Sequence, residues 1–155
     1  PIMCIGTKDL VIAASNDGIL ISEKNKSENI KKYADRLQCC PMYEERHWGE
    51  YKIIHNVQYS DGFQSLTKQL IIKAGKSLTY QAHHLRKEVW TVVDGEGLLA
   101  IEGKINPVKR GDTVCILQDM RHGLKAINDL TLIETQTGSD LFEDDVELFD
   151  WNWQK

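Results

Sequence analysis

The sequence predicts a mainly β domain, a sandwich or small barrel, preceded by one hairpin and one helix. Three observations predict it. From Tyr51 onward short runs with β character (TKQLIIK, LTYQAHH, VWTVVD, GLLAIEG, DTVCIL, LTLIETQ) recur at near-regular spacing. Glycine-bearing turns at Gly75, Gly95/Gly97, Gly103 and Gly111 separate them. Ahead of them, LVIAA and ILIS are joined by Ser15-Asn16-Asp17-Gly18, and Asp-Gly between two apolar runs is a strong hairpin signal.

In chain order, residues 1–37 read as that hairpin followed by a helix. Asn25 to Glu28 offers the helix start, and Ile30, Tyr33, Ala34 and Leu37 follow at i, i+3, i+4 and i+7. A hairpin and one helix are too small to bury a core by themselves. Residues 38–50, QCCPMYEERHWGE, lack periodicity and carry Pro41, so they read as a linker. Residues 51–155 form the strand-rich domain. Its tail is acidic, with Glu143, Asp144, Asp145, Glu147 and Asp150, and ends in Trp151 and Trp153, which would close a barrel mouth or bury a dimer contact.

The 155 residues suffice for one well-cored domain with an appended segment. A formal charge of −4, with Lys and Arg spread along the chain, gives no electrostatic footprint for nucleic acid. No apolar run approaches the roughly 18 residues of a membrane span, and no signal peptide is visible. Cys4, Cys39, Cys40 and Cys115 form no CxxC pair and no disulfide framework. Together these features point to a soluble, reducing, cytoplasmic setting. The chain begins at Pro1, as an excised piece of a longer protein would.

The stretch GKSLTYQAHHLRKEVWTVVDG carries the chemistry. On an extended strand alternate side chains share a face, so Gln81 and His83 point the same way and His84 points away. Glu88 opens the next strand. An imidazole, a carboxylate and an amide oxygen converging from two strands can chelate a divalent cation, and His122 is the candidate to close the set. Zn²⁺ fits His and carboxylate ligands, and Mn²⁺, Fe²⁺ and Ni²⁺ are compatible with them. Glu134 and Gln136 share a face of LTLIETQ with Leu132; if that face is interior, Glu134 is a candidate proton-transfer base or a buried structural carboxylate. Lys68 and Arg86 are candidate anion binders, Lys73 reads as a solvated strand residue, and Trp90 as core. His47 and His55 have no supporting pattern and read as surface or packing residues.

Gly75, five residues, Gln81-x-His83, four residues, Glu88, six residues, Gly95 resembles the first cupin motif, with Gln in place of the first histidine. Gly111, five residues, Leu117-x-Asp119, two residues, His122 resembles the second, with Leu117 and Asp119 where Pro and Gly are usual. The resemblance implies a cupin double-stranded β-helix, that is, a jelly-roll barrel. Together with Trp48 to Tyr51, Lys68, Arg86, Trp90 and the tail LFEDDV, the glutamine variant resembles the type II mannose-6-phosphate isomerase domain of mannose-1-phosphate guanylyltransferases. Residues 6–37 are similar to the last hairpin and helix of the nucleotidyltransferase domain of the same enzymes.

That resemblance implies metal-dependent mannose-6-phosphate/fructose-6-phosphate isomerisation. It further implies a metal held by Gln81, His83, Glu88 and His122, with Glu134 and Arg86 in catalysis and Lys68, Arg86 and Gln136 on a sugar phosphate. It also implies a homodimer. The alternative is a non-catalytic sugar-phosphate or nucleotide-sugar binding or dimerisation module; a dioxygenase-type metal cupin fits the ligands but not WGEY, Arg86 or the tail. The glycine-rich loop of the transferase is absent from this chain, so guanylyltransferase activity is not expected of it alone. Two positions depart from the family: Val89 stands where Glu-His-Trp has His, and Leu148 where the tail has Arg.

Overall fold

The computed structural model describes residues 2–15, 17–35, 41–141 and 144–153. The chain divides into two compact units, residues 1–43 and 44–155. In the first unit β1 (Leu10–Ala14) pairs antiparallel with β2 (Ile19–Glu23), with Ile12 opposite Ile21. The turn is closed by the Ser15 N–H donating to the Gly18 carbonyl at 2.9 Å. A 3-10 segment (Lys24–Asn29) then leads into a single turn of helix, α1 (Ile30–Ala34). The helix is thus shorter than its spacing predicts, and Leu37 lies outside the described residues. Ile12, Ile19 and Ile21 are all about half exposed, as expected of a piece with too few apolar side chains to enclose one another.

The second unit is a sandwich of two sheets. One has the strand order β10-β7-β12-β5-β4-β3 and the other β13-β6-β11-β8-β9. The first contains β3 (Tyr43–Arg46), β4 (Gly49–Gln58), β5 (Gln64–Ile72), β7 (Arg86–Asp94), β10 (Thr113–Ile116) and β12 (Leu130–Gly138). The second contains β6 (Gln81–Ala82), β8 (Glu96–Ile101), β9 (Lys104–Lys109), β11 (His122–Ala126) and β13 (Glu147–Leu148). The expected cupin architecture is therefore present as two facing sheets rather than a continuous closed barrel. No helix among the described residues is long and apolar enough to cross a membrane.

The linker expected over 38–50 is partly strand: β3 and the start of β4 lie within it. Tyr43–Arg46 has no apolar period because it is an edge strand, stabilised by its ladder to β4 rather than by a buried face. Gly49, at φ +151°, is where β4 passes so close to β5 that a Cβ would stand 1.9 Å from the Ile71 carbonyl oxygen. Positions 38–40, with Cys39 and Cys40, lie outside the described residues. Two strands without an alternating apolar signal, β9 and β11, complete the second sheet. β9 carries Pro107, which an edge strand tolerates because one side of it needs no ladder donor.

Alternation places Arg86, Glu88, Trp90 and Val92 on the inner face of β7, and Leu130, Leu132, Glu134 and Gln136 on the inner face of β12. Register then aligns like with like. Leu132 opposes Val92 and Leu70, Glu134 opposes Trp90 and Lys68, and Gln136 opposes Glu88. The interior therefore runs from an aliphatic end, with Ile72, Leu130, Leu132 and Leu124 almost fully covered, to a polar end. Gly95, at φ +87°, makes the turn out of β7 where a Cβ would meet the Asp129 carbonyl oxygen at 2.4 Å.

Candidate metal centre and cleft

The polar end is the floor of an open cleft of about 1000 Å³, part of it continuous with solvent, lined by residues that include Tyr51, Lys68, Gln81, Trp90, Glu134 and Leu148. His83 and Glu88 line it and His122 adjoins them, all three buried, with one ligand-type atom of each within 4.8 Å of the others. Glu88 comes from β7 of the first sheet. Gln81 and His122 are register partners on β6 and β11 of the second, and His83 follows β6 directly. The sequence-predicted set is thus brought together from both sheets.

The hydrogen bonds assign the imidazole tautomers. His83 Nδ1 donates to the Asp145 carbonyl, and His122 Nδ1 donates to the Met120 carbonyl at 2.8 Å. A carbonyl oxygen only accepts, so both rings carry their proton on Nδ1 and turn the Nε2 lone pair inward. His122 Nε2 is buried without a hydrogen-bond partner. It stands 3.4 Å from Glu88 Oε2, and His83 Nε2 stands 3.4 Å from Glu88 Oε1. Lone pairs facing a carboxylate in a buried site need a cation between them, either a proton or a metal ion. Backbone carbonyls behind both histidines are the outer support that ligating imidazoles use. The donor set fits a divalent cation.

Two features qualify that fit chemically. Gln81 Nε2 lies 3.1 Å from His83 Nε2, so the amide donates to the ring; turned by half a rotation it would present its oxygen to the same space. Arg86 is buried beside the trio rather than at the mouth. Its Nε donates to Glu88 Oε1 at 3.1 Å, and its Nη2 lies 3.2 Å from His83 Nε2. The guanidinium neutralises Glu88 from within the site. Asp145 flanks it, with Arg86 Nη1 3.9 Å from Asp145 Oδ2.

Glu134 and Gln136 both face the interior, as their shared strand face predicts. Trp90 Nε1 donates to Glu88 Oε2 at 3.0 Å and to Glu134 Oε1 at 3.1 Å. Gln136 Nε2 donates to Glu88 Oε1 at 3.2 Å and to Glu134 Oε2 at 2.9 Å. Two buried carboxylates are thereby bridged by two neutral donors, and their protonation diverges. Burial pushes the Glu134 carboxyl up to about 7, with the Glu88 charge adding to it and Lys68 opposing. Burial would raise Glu88 as well, but with a proton on the facing ring nitrogens the pull of His122, His83 and Arg86 outweighs it and holds it down at about 2. Burial lowers His83, against the pull of Glu88.

Around the mouth, Lys68 Nζ lies 4.8 Å from the Tyr51 ring centroid and Arg46 lies 5.9 Å from the same ring. Arg46 also pairs with Glu44 at 2.9 Å. Sequence reasoning missed Arg46 and Tyr51 as cleft residues, and it treated His47, which lines the cleft, as incidental. It also read Trp90 as core alone; the ring is 2% exposed, yet its N–H serves both carboxylates. Lys73 is on the surface near Asp129, and His84 is exposed, as expected. Trp151 stacks on Tyr80 at 4.3 Å and Trp153 meets Trp151 edge-on; neither lines the cleft. Of the two family departures, Val89 points outward at 40% exposure, whereas Leu148 lines the cleft.

Comparison with known proteins gives a consistent result. Residues 36–151 match the family described as mannose-6-phosphate isomerase C-terminal. The chain is 32% identical over 154 residues to a mannose-1-phosphate guanylyltransferase of Escherichia coli K12, covering 94% of this chain and 31% of that protein. It is 28% identical over 167 residues to the xanthan biosynthesis protein XanB of Xanthomonas campestris, covering 96% and 33%. The chain thus spans about a third of the length of these curated relatives. Among solved structures, an RmlC-like cupin from Shewanella frigidimarina superposes with a TM-score of 0.56 at 20% identity, over 66% of this chain and 86% of that one.

Proposed function

The chain belongs to the mannose-6-phosphate isomerase C-terminal family, and on that premise we propose that its sandwich is a metal-dependent sugar-phosphate isomerase. The proposed reaction interconverts mannose 6-phosphate and fructose 6-phosphate. The observation that carries this reading is the buried His83–Glu88–His122 trio with inward Nε2 lone pairs, of which His83 and Glu88 line an open polar cleft. Gln81, His83, Glu88 and His122 would hold the cation. When bound, a divalent cation supplies Lewis-acid polarisation of carbonyl and hydroxyl oxygens.

The residues of the chain supply the rest. Burial pushes the Glu134 carboxyl up to about 7, so at neutral pH it can take the proton from C2 of the aldose and return it to C1, while the hydroxyl proton on O2 passes to O1. Trp90 and Gln136 hold its two oxygens, which fixes the direction of that transfer. Lys68, stacked against Tyr51, is the cation suited to the phosphate at the mouth. Arg86 is engaged by Glu88 and His83, and in this reading it balances charge beneath the substrate.

A second reading has its own support. The Arg86 guanidinium already satisfies two of the prospective ligand atoms, and Leu148 gives the cleft an apolar side chain where the family has an arginine. Both favour a non-catalytic sugar-phosphate binding module. Metal analysis of the purified chain, paired with a mannose 6-phosphate isomerisation assay on wild type and His83→Ala, separates them. Metal-dependent turnover lost in the variant supports the isomerase. Bound metal without turnover would overturn it and leave the binding module. The homodimer is proposed too, on the edge strands that the open sheets leave; sedimentation equilibrium giving a monomer would overturn it.

A further inference from the structure

The acidic tail, which the proposed reaction does not use, is built into the site. Beyond β12, β13 pairs with β6, placing Glu147 opposite Ala82 and Leu148 opposite Gln81. The Phe149 N–H donates to the Tyr80 carbonyl at 2.9 Å, and the Phe149 and Trp151 rings both pack on Tyr80. Residues 144–149 are therefore a strap fastened to the strand that carries Gln81. Val146 and Leu148 of this strap face the cleft.

At the centre of the strap stands Asp145, with a side chain only 5% exposed. Its two carboxylate oxygens separately accept the backbone N–H groups of His84 and Leu85, each at 3.0 Å. Its carbonyl accepts Nδ1–H of His83. One residue thus binds three consecutive positions of the turn that delivers His83, and lies beside the Arg86 guanidinium as well. Removing the carboxylate would strand two N–H groups and release the carbonyl from His83.

We infer that Asp145 is a positioning residue for the metal centre, holding His83 in the Nδ1–H tautomer with Nε2 aimed at Glu88 and His122. The inference rests on the metal-centre reading for its consequence, though not for its geometry. Loss of such an outer partner weakens metal affinity by about 10- to 100-fold in comparable sites. A merely structural role would lower the melting temperature and leave the ring tautomer unchanged.

The test uses the full chain and Co²⁺ as the probe. Long-range ¹H–¹⁵N spectra of the metal-free protein report the His83 tautomer, and Co²⁺ titration reports affinity. For Asp145→Ala the expected result is a mixed or Nε2–H tautomer and a Co²⁺ dissociation constant at least tenfold weaker. Asp145→Asn, which keeps one acceptor and a similar volume, should fall between the two and serves if the alanine variant does not fold. An unchanged Nδ1–H signal in the folded variant overturns the inference, whatever the affinity does. If wild type binds no Co²⁺ but the tautomer still moves, the metal reading fails and the positioning role stands.

Discussion

The two ends of this sandwich are built from the same strands and hold opposite chemistry. On β7 the inner face passes from Arg86 and Glu88 through Trp90 to Val92; on β12 it passes from Gln136 and Glu134 to Leu132 and Leu130. The aliphatic end needs only shape, and its residues are stabilised by removal from water. The polar end is equally buried, yet each of its groups depends on a named partner, because an unpartnered buried charge is strongly destabilising. The difference teaches that the aliphatic half supplies the stability that lets the other half keep an Arg, two Glu and two His out of solvent. Trp90 is the seam, apolar in its body and a donor to both carboxylates at its edge.

That contrast breaks most visibly at Leu132, which is 1% exposed between Val92 and Leu70. Leu132→Ala should lower stability by about 3–4 kcal/mol, equally in EDTA and in saturating Co²⁺, as read from urea midpoints with an unchanged slope. A loss that metal restores would mean that the two halves are not independent.

At the polar end the prediction concerns pH, and its sign follows from opposed carboxylates. Glu134 is raised from 4.5 to about 7, so its ionisation disfavours the folded state. Its contribution is most favourable below about 4.5 and is lost as pH rises to about 7. Glu88 is depressed to about 2, so its contribution is present above about 4.5 and lost as pH falls toward 2. Glu134→Gln should therefore gain on wild type as pH rises, by about 3 kcal/mol between pH 5 and 8. Urea midpoints of both proteins at those two pH values check this. A constant difference would mean that Glu134 is ionised throughout.

The sequence made the two ends unequally legible. Alternation in VWTVVD and LTLIETQ was enough to find the strands, and spacing was enough to bring Gln81, His83, Glu88 and His122 together. β3 escaped because an edge strand has no buried face to leave a period, and β9 because Pro107 reads as a breaker unless the strand is known to be an edge. The role of Asp145 escaped for another reason. It acts through a backbone carbonyl and two backbone N–H groups, and the tail's acidity alone cannot say which turn, some 60 residues upstream, receives them. Arg86 was legible as a cation on the face of Glu88, two residues along β7, but not as a partner of His83, which reaches it only once the turn is folded.

Arg86 offers a way to sharpen the comparison, because it is a cation already resident where a metal would bind. Arg86→Met removes one N–H donor from each of His83 Nε2 and Glu88 Oε1, leaving those of Gln81 and Gln136, and removes a neighbouring positive charge. The metal-free variant should be less stable, since Glu88 loses its counter-charge. Its Co²⁺ dissociation constant should nevertheless tighten about tenfold, which corresponds to about 1.4 kcal/mol. Isothermal titration decides the sign. Weaker binding would mean that the guanidinium orients the trio instead of competing with a metal.

The smallest expected effect lies at the rim, where Asp119 occupies the position that a glycine usually fills. Its φ of +63° is the left-handed conformation, which a side chain disfavours by about 1 kcal/mol. The backbone there is needed, since the Asp119 N–H donates to the His83 carbonyl at 2.8 Å. The side chain meets His84 Nδ1 in the open, and this hydrogen bond holds the His84 imidazole above its ordinary range. Asp119→Gly relieves the strain and keeps the backbone bond, but it adds about 0.5–1 kcal/mol of unfolded-state entropy. The two nearly cancel, so stability should change by no more than about 0.5 kcal/mol and Co²⁺ affinity should not change. The His84 titration midpoint, followed by NMR, should fall back toward the ordinary histidine value. If Co²⁺ binding weakens instead, the exposed carboxylate is helping to hold the turn that carries His83, and the rim belongs with the polar end rather than with the solvent.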